Sequence, residues 1–289
     1  MIAQNFEYSA PANLSEALKL LADGEAKALA GGMSLIPLMK LRLATPGQLV
    51  DIGRIAGLSY VRQDGDAIRI GATTTHYEVQ SSGLLRASCP LLAETADHIG
   101  DIQVRNRGTI GGSVAHADPA ADYPAALLAL EARVVLVSAK AEREMPIADF
   151  FVDTFTTALE PGELIREVVV PVEDKSAGTS YRKVAQPASG FAIVGIAARV
   201  RQSGDPSGKM IAFARIGVTG LAGKPYRAIN VEQALEGTAG SPADIQKAAA
   251  LVADGIEANS DLHASDAYRK HLAKVYTMRA LAVASSRTA

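Results

Sequence analysis

Ala30-Gly31-Gly32-Met33-Ser34 and Thr109-Ile110-Gly111-Gly112-Ser113 are the two stretches on which the reading of the fold turns. A glycine pair admits backbone conformations closed to other residues and lets a ligand approach the amides closely. Successive exposed N–H groups form a nest for an anion. Ser34, Thr109 and Ser113 add hydroxyl groups. One such pair alone is more often an ordinary tight turn. Two of them in separate units of one chain can grip a pyrophosphate between them.

Outward from the first loop, the chain reads as a small α/β unit. Ser15 is a candidate cap for a helix carrying Leu18 and Leu21, ended by Asp23-Gly24. Lys27–Ala30 and Leu49–Ile52 read as strands on either side of AGGMSLIPLMKLRLATP. From Leu58 a second unit begins. LSYVR and AIRIGA flank Asp64-Gly65-Asp66, a hairpin signal. A helix over Leu91–Ile99 precedes a long polar loop, QVRNRGTIGGSVAHADPAADYP, which holds the second glycine pair. A helix over Pro124–Leu130 and strands at Ala132–Ser138 and Leu164–Val170 close the unit. VEDKSAGTS reads as a linker. Beyond it come two strand runs, FAIVGIAARV and MIAFARIGVTG. Helices over Asn230–Leu235, Pro242–Glu257 and Ser265–Ser285 then suggest a separate α+β domain. The expected boundaries are 1–57, 58–175 and 176–289.

Composition narrows the chemistry. The 289 residues carry 29 basic and 31 acidic side chains, a net charge of -2, which offers nothing to nucleic acid or an anionic membrane. No apolar run approaches the roughly 18 residues of a spanning helix. The start shows no basic stretch leading into an apolar one, so a cytoplasmic protein is expected. The single cysteine, Cys89, excludes an internal disulfide and cannot alone hold an iron–sulfur cluster, which needs about four thiolates. The five histidines show no zinc-ligand spacing, and no metal site is expected. There is no G-x-G-x-x-G opening a helix, no P-loop at Gly223-Lys224 and no serine elbow. No catalytic constellation emerges, as suits a protein that positions a redox cofactor. Asp122, just before an apolar helix, can accept from ribose hydroxyls or cap that helix.

AGGMSLIPLMKLRLATP, TIGGSVAHADPAAD, Gly71-Ala72-Thr73-Thr74-Thr75-His76 and KVAQPASGFAIVG together resemble the FAD-binding medium subunit of the xanthine dehydrogenase and carbon monoxide dehydrogenase family. The likeness spans nearly the whole chain. It implies an α+β architecture: a two-subdomain FAD-binding domain of the vanillyl-alcohol-oxidase/PCMH-like kind, then a C-terminal α+β domain with a small sheet and helices. It assigns Ala30, Gly31, Gly32, Met33 and Ser34, with Thr109, Ile110, Gly111, Gly112 and Ser113, to the FAD pyrophosphate and its surroundings. It adds Thr75 to the cofactor site and puts Asp122 near the adenosine ribose. Phe191 matches a position held against the isoalloxazine ring, and Lys183 a family lysine. Read from residues alone, Phe191 is also a core phenylalanine and Lys183 a solvated surface lysine. Gln186 and Gly190 depart from the Arg and Asp frequent in relatives, and Met33 from a frequent His.

The implied activity is an electron relay in an oxidoreductase. A large subunit with a molybdenum cofactor oxidises the substrate, and a small subunit passes electrons through 2Fe-2S clusters. FAD in this chain hands them to an external acceptor. The family implies a dimer of heterotrimers. The alternatives are a stand-alone flavin oxidase and a scaffold subunit without FAD.

Overall fold

The computed structural model describes residues 2–22, 24–204 and 210–288. Sheets of three, five and four strands follow one another along the chain, each with its own helices, and a two-stranded hairpin falls within the second unit. The first unit holds β1 (Glu7–Ser9), α1 (Leu14–Leu21), β2 (Ala26–Leu29), α2 (Leu35–Lys40) and β3 (Gln48–Asp51). Its strands pair in parallel, in the order β1-β3-β2. Leu14, Ala17, Leu18 and Leu21 recur at helical spacing, so α1 buries one stripe on β3's Val50. The cap of α1 is Asn13, whose side chain accepts from the amide of Glu16, and not Ser15. Ser15 already lies inside the first turn. Of the expected Asp23-Gly24 stop, Asp23 lies outside the described residues, while Gly24 takes a φ of 75°.

The second unit runs through β4 (Val61–Asp64), β5 (Ala67–Gly71), α3 (His76–Ser81), α4 (Gly83–Ser88), α5 (Pro90–Asp97), α6 (Ile102–Arg105), α7 (Ile110–His116) and α8 (Tyr123–Ala129). It continues with β6 (Arg133–Val137), β7 (Glu142–Pro146), α9 (Ile147–Phe150), β8 (Phe151–Asp153), β9 (Thr156–Thr157) and β10 (Leu164–Pro171). The expected hairpin at Asp64-Gly65-Asp66 forms, with Asp64 opposite Ala67. The sheet is antiparallel, in the order β4-β5-β10-β6-β7, and α8 is buried over its whole length against the unit's core.

The stretch read as one long polar loop instead contains α6 and α7. Its polarity hides two side-chain caps: Asp101 accepts from the amide of Val104, and Thr109 from that of Gly112. A helix opening on Ile-Gly-Gly has little intrinsic propensity. It stands because Ile110 and Val114 are buried in the core.

The third unit is a meander of β11 (Ala177–Ala185), β12 (Ala192–Gln202), β13 (Ile211–Thr219) and β14 (Tyr226–Arg227), backed by α10 (Ile229–Leu235), α11 (Pro242–Ala249) and α12 (Asp266–Ser286). β11 begins at Ala177, so the expected linker shrinks to Val172–Ser176, and the helix expected to reach Glu257 stops at Ala249. One face of this sheet buries Ile196, Val200, Ile216 and Val218 with α12. The other face meets α8: a side chain at Gly217 would stand 1.9 Å from the carbonyl oxygen of Ala125. Tyr181 and Ala197 from this sheet belong to the core of the second unit.

Candidate functional site: a cavity between two glycine loops

A cavity of about 730 Å³ opens between the first unit, α7 and the turn joining β11 to β12. That is the size of a site for a large cofactor. Ala30, Gly31, Gly32, Met33 and Ser34 line one wall, and Thr109, Gly111, Gly112 and Ser113 the facing one. Asp122 and Phe191 also line it. Three of the expected residues do not. Ile110 is fully buried in the core. Thr75 spends its hydroxyl in a capping box with Glu78 at the start of α3. Lys183 sits behind the wall, with 5% of its side chain exposed.

A glycine of each loop packs directly on neighbouring backbone. A Cβ on Gly31 would lie 1.9 Å from the carbonyl oxygen of Arg107, and one on Gly111 would lie 2.7 Å from that of Ala72. Only glycine permits this approach. Gly32 takes a φ of 76°, in the region that favours glycine.

The loops differ in what their amides have left to offer. In the second, Ile110 donates to the carbonyl of Thr74, Gly111 to that of Ala72, Ser113 to that of Thr109, and Gly112 to the Thr109 hydroxyl. In the first, the amides of Gly31 to Leu35 find no acceptor among the described residues, and the Ser34 hydroxyl makes no cap bond to α2. Buried amides are nearly always paired, and of these residues Gly31 is buried, Gly32, Ser34 and Leu35 half-buried and Met33 exposed. Five consecutive unpaired donors on a cavity wall are therefore a nest open to an anion.

At the other end, Asp122 is 5% exposed and has no capping bond to α8, which rules out its reading as a helix cap. It accepts from the Tyr181 hydroxyl at 2.5 Å and from the Lys183 ammonium at 3.0 Å. Burial pushes its carboxyl pKa up, against the pull of Lys183, Tyr181 and His98. Lys183 is thus a buried partner and not a surface lysine. Phe191 is 42% exposed just before β12, so it is not a core residue either.

Several lining residues escaped the sequence reading. His76 packs behind the second loop, and burial pushes its pKa down to about 4. Gly108 touches it: a Cβ there would meet the His76 ring at 2.5 Å. His116, at the end of α7, packs its ring against Phe155, 5.1 Å between centroids, and Phe155 holds a φ of 51°. Nothing short of three-dimensional contact links His116 to Phe155. The pairing of Asp122 with Tyr181 had a signal, since Tyr181 and Lys183 alternate onto one face of β11. No cluster of metal-ligating side chains occurs among the described residues, and no helix among them is long and apolar enough to cross a membrane.

Residues 4–173 match the FAD binding domain in molybdopterin dehydrogenase, and residues 179–284 the CO dehydrogenase flavoprotein C-terminal domain. The chain is 39% identical to the carbon monoxide dehydrogenase medium chain of Hydrogenophaga pseudoflava, over all of both chains. It is 37% identical to the glyceraldehyde dehydrogenase medium chain of Sulfolobus acidocaldarius, covering 97% of this chain and 98% of that one. Among solved structures, the carbon monoxide dehydrogenase of H. pseudoflava superposes with a TM-score of 0.96 at 40% identity, covering both chains fully. The quinoline 2-oxidoreductase of Pseudomonas putida 86 superposes at 0.94 with 31% identity, again over both full lengths.

Proposed function

Since the chain belongs to the FAD-binding, medium-chain family of the molybdenum hydroxylases, we propose that it is the electron relay of such an enzyme. It would take electrons from 2Fe-2S clusters of a small partner subunit and pass them to an external acceptor. The large partner subunit would carry the molybdenum cofactor, and the complex would assemble as a dimer of heterotrimers in the cytoplasm. The names of its relatives, medium chains of carbon monoxide and glyceraldehyde dehydrogenases, support a chain that works beside others. The boundaries 1–57, 58–175 and 176–289 are part of this reading, supported by the fact that no sheet crosses them.

The observation that carries the cofactor assignment is the row of unpaired amides from Gly31 to Leu35 facing the cavity. They fit a pyrophosphate, and the Ser34 and Ser113 hydroxyls stand ready beside them. The second loop plays a different part. Its amides hold α7 in place, and its glycines keep the wall low enough for close approach. Phe191 offers a ring face to the isoalloxazine. The Asp122 carboxylate lies one ammonium away from the Phe191 turn, which favours a hydroxyl on the flavin side of the cofactor over the adenosine ribose. Bound FAD supplies the exchange between two-electron and one-electron chemistry. The protein binds it, orients it and keeps water from part of it.

Anaerobic reduction tests this reading. The chain should bind FAD, released intact by acid precipitation, and dithionite should bleach it. An organic substrate should bleach it only in the assembled complex. Rapid bleaching of the isolated chain by substrate would favour a stand-alone oxidase, and a chain that cannot be loaded with FAD would favour a scaffold.

A further inference from the structure

The Lys183 ammonium lies between two groups that serve different parts of the cavity. On one side is the Asp122 carboxylate at 3.0 Å, from the start of α8 in the FAD unit. On the other is the carbonyl oxygen of Gly190 at 2.7 Å, from the third unit. Gly190 precedes Phe191 and holds a φ of 73°. The turn is closed on itself, with Gly190 donating to the carbonyl of Gln186 at 2.9 Å and Gln186 to that of Phe191 at 2.8 Å. Its tip meets the opposite rim, where a Cβ on Gly190 would stand 3.6 Å from Gly100. Lys183 itself does not line the cavity.

We propose that Lys183 is a positioning residue and not a cofactor ligand: its buried ammonium clamps the Phe191-bearing turn to the Asp122 carboxylate, so that both close on the cavity as one unit. The consequence for the cofactor rests on the FAD reading above, while the clamp does not. An ammonium has three protons to give, and two are used here. A buried ammonium without partners is costly, so the pair and the carbonyl hold one another in place.

Lys183→Met in the full chain removes the clamp, and hydrogen exchange of the FAD-free protein reads it. The amides of Gln186 and Gly190 should exchange at least about tenfold faster, while those of Val194 and Ile196 in β12 keep their protection. The double variant Lys183→Met with Asp122→Asn leaves no unpaired buried charge, so it should fold even if the single change does not. It should show the same local loosening. FAD titration reads the consequence. In wild type the affinity should be flat from pH 8 to pH 6. In Lys183→Met it should fall at least about tenfold and weaken further as pH drops, because Asp122 then takes up a proton. The groups facing Asp122 are Tyr181 and Lys183 of β11 and His98 beyond α5, with Asp118 and His116 on the same cavity wall. Weaker FAD binding with unchanged turn exchange would make Lys183 a direct ligand and overturn the clamp. Unchanged exchange and unchanged affinity would reduce it to an ordinary ion pair and overturn the clamp as well. If the wild type does not take up FAD, the cofactor reading falls, and the exchange experiment still decides the clamp.

Discussion

Gly112 and Gly217 look alike in the sequence, and the structure separates them. A Cβ on Gly112 would meet only the Thr109 hydroxyl at 2.7 Å, on a side chain, whereas one on Gly217 would strike the backbone of Ala125 at 1.9 Å. Gly112→Val is therefore expected to fold, at the cost of displacing the Thr109 cap of α7 (~1 kcal/mol), and to lose FAD affinity. Gly217→Val should prise α8 from the sheet, at more than the ~1–3 kcal/mol of ordinary overpacking. Flavin occupancy of the folded fraction, measured beside the melting temperature, checks the pair; equal occupancy would remove Gly112 from the site. His76 gives a second residue-scale expectation. Its pKa falls from 6.5 to about 4 because burial disfavours the imidazolium. The unfolded chain thus binds an extra proton between those values, and stability drains away as pH falls through that window. The loss should approach ~3 kcal/mol near pH 4. Urea midpoints of the FAD-free chain between pH 7 and pH 4.5 should fall, and His76→Phe should flatten the slope. The glycine pairs were legible because glycine at a close approach leaves a mark in the sequence. His76 was not, since a histidine pressed on a glycine 32 positions away leaves none.

At the scale of elements, propensity explains some ends and misses others. The helix α2 closes with Arg42 at a φ of 60°, where the amide of Arg42 reaches the carbonyl of Met39 and that of Leu43 reaches Leu38. Glycine is the usual residue at such a helix end. Arg42 is exposed. Arg42→Gly should therefore stabilise the chain by about 1 kcal/mol or less, raising the melting temperature by ~2–4 °C at most. Calorimetry settles it, and a drop would show that the arginine side chain holds something in place. The hairpin was legible from Asp-Gly and the apolar strands β2, β3, β5, β6, β10, β12 and β13 from their β-rich runs, whereas β1, β7 and β14 were not expected and the start of β11 read as a linker. α7 was not, because its cap and its buried Ile110 and Val114 overrule the poor propensity of Gly-Gly. The short hairpin of β8 and β9 was missed for a related reason. Its tip is pinned from another unit, Thr154 donating to the carbonyl of Gly223 and Lys224 to that of Val152.

For the molecule as a whole, the order of the three units was readable from the change of pattern along the chain, but their dependence on one another was not. Tyr181 and Ala197 are fully buried in the core of the second unit, though they lie in the third. A fragment 1–175 should then expose that core face, unfold at lower denaturant than the intact chain and fail to hold FAD. Equilibrium unfolding of the fragment beside the whole chain tests this, and equal midpoints would show the units to be independent. The unequal loops also bear on how the chain is made in the cell. In the second loop the amides of Ile110 to Ser113 are satisfied within the folded chain, but the first leaves five donors waiting on the cavity wall. Binding at a thousandfold excess over Kd adds about 4 kcal/mol to a folded state. Vitamin supply should thus set the lifetime of this chain: starved of riboflavin, a cell would be expected to degrade the unloaded subunit before assembly, making flavin loading a checkpoint on how much enzyme is built.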